Sequence, residues 1–64
     1  QEAEQYFRQA IERDSADYQS HNSLGEVLLQ TQRKAEAVKQ FQRAFELNPS
    51  DIHVRKNWAS VAPE

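Results

Sequence analysis

The sequence predicts an all-α chain of four short helices folded back on one another as antiparallel hairpins. One Gly and two Pro in 64 residues are few breakers. Ala, Glu, Gln, Arg and Leu dominate and β-branched residues are sparse, a composition that favours helix nearly everywhere. Apolar residues recur at steps of three and four, and the strict alternation of a strand is absent. The chain also repeats itself at a spacing of two short helices plus two turns.

The first helix is expected over about Glu2 to Arg13, with Ala3, Phe7, Ala10 and Ile11 on one face. It stops at Asp14-Ser15-Ala16-Asp17, a cluster of capping and turn residues. The second, about Tyr18 to Thr31, carries Tyr18, His21, Leu24, Gly25 and Leu28 on one stripe with Val27 beside it, and ends in the polar break Thr31-Gln32-Arg33. The third, about Lys34 to Leu47, aligns Ala37, Phe41, Ala44 and Phe45, with Val38 flanking. Asn48-Pro49-Ser50-Asp51 separates it from the fourth, because Pro49 disfavours helical geometry at Asn48 while Ser50 or Asp51 can cap. The fourth, about Ile52 to Ala62, has Val54, Trp58, Val61 and Ala62 near one side and Ala59 adjoining.

Sliding the chain by 34 positions superposes Ala3 on Ala37, Phe7 on Phe41, Ala10 on Ala44 and Glu12 on Glu46. The turn cluster at 14–17 falls on that at 48–51, Leu24-Gly25 falls on Trp58-Ala59, and Val27 on Val61. Coincident helix stops and coincident small-large-small faces mark a true repeat. Gly25 inside a helix costs roughly 1 kcal/mol relative to Ala, so its place on the apolar stripe calls for a packing reason. Close approach supplies one: Gly25 and Ala37 let the second and third helices touch, with Phe41 and Leu24 filling the space around them.

These residues resemble the tetratricopeptide repeat, a 34-residue helix-turn-helix with the pattern W-x2-L-G-x2-Y, A-x3-F, then P. The chain supplies His21-x2-Leu24-Gly25-x2-Leu28, Ala37-x3-Phe41, Ala44 and Asn48-Pro49. Residues 18–51 resemble one complete repeat, 1–17 the second helix of a preceding repeat, and 52–64 the first helix of a following one. The departures are His21 for the usual aromatic, Leu28 for tyrosine, Ser15 for proline, and Gln32 where the family often has glycine. The last implies a strained or differently shaped turn between the helices.

The resemblance implies a right-handed superhelical array whose first helices line a concave wall where peptides or partner helices bind. Carried over by position, the groove candidates are Gln19, Asn22, Ser23, Glu26 and Leu29 on the second helix and His53, Lys56, Asn57 and Ser60 on the fourth. This mixed polar surface suits hydrogen bonding to an extended peptide backbone. Some members of the family grip a chaperone's C-terminal carboxylate with lysine, asparagine and arginine. Asn22 and Asn57 are the right type for part of that grip, but Glu26 stands where asparagine is needed and His53 and Asn57 occupy the fourth-helix positions that require a Lys-Arg pair, which argues against it.

No catalytic, metal or cofactor chemistry is expected. There is no cysteine, and His21 and His53 lie on different sides of their helices with no i, i+4 histidine partner. His21 is expected to be partly buried in the aromatic's place and His53 to be at the surface. Gly25 is alone, which excludes a phosphate loop, and the serines have no neighbouring His-Asp arrangement to activate them. Glu4 with Arg8, or Arg8 with Glu12, read as surface helix pairs. Eight Lys+Arg against ten Asp+Glu give a net charge of −2, so nothing draws the chain to nucleic acid or anionic lipid. Membrane insertion is not expected, since Val27-Leu28-Leu29 is the longest apolar run. Without cysteines or a targeting segment, a cytoplasmic setting is the default.

The expected function is therefore a non-enzymatic protein-interaction module for a protein or peptide partner. A repeat unit cannot bury its apolar face alone, and neither end shows a long polar capping helix. The chain is accordingly expected to be a piece of a longer protein or to associate with itself, end to end or by exchanging helices. Homo-oligomerisation through the end helices is the alternative function, and an accessory segment tethered to an enzyme elsewhere in a longer chain is a third.

Overall fold

The computed structural model describes residues 2–63. Its elements are α1 (Glu2–Arg13), α2 (Tyr18–Gln30), α3 (Lys34–Leu47) and α4 (Ile52–Val61), with no strand among the described residues. Short turns fold each helix back against the one before, so that α1 packs on α2, α2 on α3 and α3 on α4.

The start of every helix falls where the sequence places it. Two ends come one residue earlier. Thr31 is the C-cap of α2, its hydroxyl donating to the carbonyls of Val27 and Leu28 at 3.0 and 3.2 Å. Ala62 is extended (φ −61°, ψ 139°) because Pro63 follows it.

The two inter-repeat turns are built alike. Asp14 Oδ1 accepts from Ala16 N at 3.0 Å, and Asn48 Oδ1 from Ser50 N at 3.2 Å, so the same side-chain turn recurs 34 residues on. Asp17 then caps α2, accepting from Ser20 N at 3.2 Å and from the Ser20 hydroxyl at 2.7 Å. Asp51 caps α4 through His53 N at 2.9 Å and Val54 N at 3.1 Å.

The intra-repeat turn differs. Gln32 has φ 62°, in the left-handed region, and is the only non-glycine there among the described residues. Gln32 N donates to Leu29 O (3.1 Å) and Arg33 N to Leu28 O (2.8 Å), the paired bonds of a Schellman ending. Of the two expectations for this turn, strain or a different shape, the positive φ supports strain: a side chain occupies a position where glycine carries no steric cost.

Leu24, Leu28, Ala37 and Phe41 form the core, each at most 1% exposed, ringed by the partly buried Phe7, Ile11, Trp58 and Val61. Burial of each large apolar side chain contributes about 1.5–3 kcal/mol. Gly25 explains how Phe41 reaches the centre. A Cβ at Gly25 would lie 2.5 Å from Phe41 Cε1 and 2.7 Å from Cδ1. The glycine thus admits the edge of the Phe41 ring, in keeping with the expectation that Phe41 fills the space around the α2–α3 approach. Trp58 stacks on Phe45 at 6.2 Å between centroids, which fastens α4 to α3.

Repeat-equivalent residues do not share one environment. Ala37 is fully buried, but Ala3 is exposed, because α1 packs on α2 and has no helix where α3 has α2. The extents of 30 × 24 × 15 Å leave, in the thinnest direction, little more than one helix-packing distance of about 8–10 Å, so each helix keeps a face on solvent.

Glu4 ties α1 to the turn before α3. Its carboxylate accepts from both Arg33 Nη atoms (Nη1 at 3.1 Å) and from Arg8 Nε and Nη2 at 3.1 and 3.0 Å. Arg8 Nη2 also reaches Glu36 at 3.3 Å, so it pairs backward along α1 and across to α3 in place of the expected Glu12. Hydrogen bonds from Arg33 and then Arg8 hold the Glu4 carboxyl at about 2, well below its ordinary 4.5.

Candidate functional site

The N-cap of α4 and the 34-residue register bring the start of α4 beside α2. Between them opens a pocket of about 350 Å³ lined by Tyr18, Gln19, Asn22, Ser23, Glu26, Asp51, His53 and Val54. Gln19, Asn22, Ser23 and Glu26 share one face because their spacing of three and four follows the helical turn. Capping of α4 by Asp51 sets His53 on the opposite wall.

Five of the nine sequence-derived candidates therefore meet in this pocket: Gln19, Asn22, Ser23, Glu26 and His53. Asn57 stands beside it, its Nδ2 donating to Asn22 Oδ1 at 3.0 Å and to Glu26 Oε2 at 3.1 Å. These bonds cross from α4 to α2 and fix the relation of the two helices. Leu29, Lys56 and Ser60 lie outside the lining; the Ser60 hydroxyl donates back to the Asn57 carbonyl at 2.8 Å. Leu29 and Lys56 are exposed.

Three lining residues were not among the candidates. In the sequence Tyr18 lies on the stripe of the second helix, Asp51 in the capping turn, and Val54 on the apolar side of the fourth helix. The Tyr18 hydroxyl donates to Asp51 Oδ2 at 3.2 Å, closing the pocket's end across 33 residues of sequence. The available signal was an aromatic directly after one repeat's cap residue, one period from the next cap. Asp51 is held below the ordinary carboxylate range, chiefly by the Val54 amide and further by the Tyr18 hydroxyl.

A second cavity, about 240 Å³, lies among α1, α2 and α3, lined by Arg8, Ile11, Glu12, His21, Leu24 and Gln40. His21 is buried, with Nδ1 2.8 Å from Gln40 Oε1 and Nε2 3.0 Å from the Ser15 carbonyl oxygen. With both ring nitrogens engaged, His21 braces the first turn to α3 in the place an aromatic would fill. His53 is exposed on α4, remote in role from that brace.

No helix among the described residues is long and apolar enough to cross a membrane. The model of the tetratricopeptide repeat, a family that generally mediates protein–protein interaction and is typically non-enzymatic, matches residues 1–52. Neither the curated proteins nor the solved structures yield a match. The matched span covers most of the four-helix fold, including the Gly25 seam and both cap clusters, and the chain belongs to the tetratricopeptide repeat family.

Proposed function

We propose that the chain binds an extended peptide or a helix on the face formed by α2 and α4, which a right-handed superhelical array of such hairpins presents as its concave wall. Residues 18–51 are the complete repeat in this reading, with 1–17 and 52–64 as neighbouring half-repeats. The observation that carries it is the pocket where Gln19, Asn22, Ser23, Glu26 and His53 meet, with Asn57 braced alongside. Side chains held by cross-helix bonds lose little freedom when a ligand arrives, so their hydrogen bonds favour binding with a small entropic cost. The test is selection of binders from a displayed random-peptide library against the chain. Asn22→Ala combined with Asn57→Ala should weaken the selected peptides severalfold with helix content retained. Unchanged affinity would remove the face from consideration.

A second reading, self-association through the end helices, is favoured by apolar surface left there. Tyr6 is 65% and Ile52 61% exposed, and Phe7 is only partly buried while its repeat-equivalent Phe41 is fully buried. In this reading α4 of one copy gives α1 of a second the pairing that α2 gives α3. Sedimentation at micromolar concentration decides it: a strict monomer with cooperative melting ends this reading. If oligomers form, Phe7→Ala or Trp58→Ala should dissolve them with helicity retained, and pocket substitutions should not.

A further inference from the structure

We propose that the pocket between α2 and α4 receives a cationic side chain, lysine or arginine, of the partner peptide. This assignment rests on the binding-face reading above and adds the sign of the group bound.

The lining carries two carboxylates, Glu26 and Asp51, and no lysine or arginine. Several of the donors nearest the two carboxylates are already engaged. The first amides of α4, His53 N and Val54 N, donate to Asp51 Oδ1 at 2.9 and 3.1 Å, so the anion seat of the helix N-terminus is filled from within. Asn57 Nδ2 donates to Asn22 Oδ1 and Glu26 Oε2, and the Tyr18 hydroxyl to Asp51 Oδ2 at 3.2 Å. An incoming carboxylate would meet two like charges and, besides His53, only the uncharged donors of Gln19, Asn22 and Ser23. An ammonium or guanidinium would instead find Glu26 Oε1, which accepts no hydrogen bond among the described residues, and the Tyr18 ring, both favourable neighbours for a cation. Glu26 is exposed, so this pairing forms without stripping a buried charge of water. Two side chains oppose it: Lys56, exposed on α4 outside the lining, and His53 when it is protonated.

The test uses the ¹⁵N-labelled chain and three peptides on one Ala/Ser frame, differing only in a central Arg, Gln or Glu. Amide shifts are followed in mildly alkaline, low-salt buffer. The Arg peptide should move the amides of Asn22, Glu26 and Val54 and bind about fivefold tighter than the Gln peptide, with the Glu peptide weakest. Glu26→Gln, which keeps an acceptor for Asn57, should remove most of that preference with the thermal melt unchanged, and Glu26→Lys should reverse it with helix content retained. A Glu peptide binding as tightly at the same amides would overturn the charge assignment and leave the binding face standing. Should none of the three peptides move those amides, or the Arg peptide act elsewhere, both readings fall.

Discussion

Gly25→Ala tests how the core is seated. The added methyl would lie 2.5, 2.7 and 2.9 Å from Phe41 Cε1, Cδ1 and Cζ, whereas carbon atoms in contact sit about 3.5–4.0 Å apart. The ring edge must therefore withdraw by about 1 Å. It has little room to do so, since Phe41 is fully buried among Leu24, Leu28 and Ala37. Overpacking of this kind costs about 1–3 kcal/mol, while the better helix propensity of alanine returns about 1 kcal/mol. The expected net loss is about 1 kcal/mol, or a fall in Tm of about 4–8 °C for a domain of this size. Thermal and urea melts by far-UV circular dichroism measure it. Ala59→Gly, at the exposed repeat-equivalent position in α4, reports the propensity term alone and should lower stability by about 1 kcal/mol. In a Phe41→Leu background the Gly25→Ala penalty should shrink or change sign, because the offending ring edge is gone. If Gly25→Ala instead raises stability by its full propensity gain in the wild-type chain, the close approach of α2 and Phe41 is refuted.

Other outcomes follow from the same structure. Gln32→Gly should raise stability by about 0.5–1 kcal/mol in urea melts, since relief of the left-handed strain exceeds the added freedom of the unfolded chain. Glu4→Gln should lower Tm near neutral pH. The Glu4 carboxyl titrates lower in the folded state than its ordinary 4.5, so its stabilisation is complete above 4.5 and disappears as pH falls toward about 2. The melting difference between Glu4→Gln and wild type should follow that window and shrink with added salt. Asp17→Ala removes the acceptor for the Ser20 amide and hydroxyl and should cost about 1 kcal/mol. Phe41→Ala should cost about 3–5 kcal/mol, enough to unfold a domain this small, and would be read as loss of the cooperative melt.

The sequence by itself determined the helices and their punctuation. Capping at Asp17 and Asp51, the block at Asn48-Pro49 and the three-and-four spacing of Leu24, Leu28, Phe41 and Ala44 act over a few residues, so their consequences can be read along the chain. The 34-residue register added the hairpin pairing, and the resemblance to the tetratricopeptide repeat implied the face holding Asn22 and Glu26. Even the strain at Gln32 was legible, because a side chain stands where the turn calls for glycine. The tertiary structure alone decided which side chains meet between distant parts of the chain. It turned the Phe41 edge onto Gly25, drew Arg33 to Glu4 and Arg8 to Glu36, left Ala3 open where Ala37 is enclosed, and closed the pocket with Tyr18 on Asp51. Periodicity fixes the direction in which a residue faces. The partner it finds there depends on the angle and distance between packed helices, which are set by the whole core together.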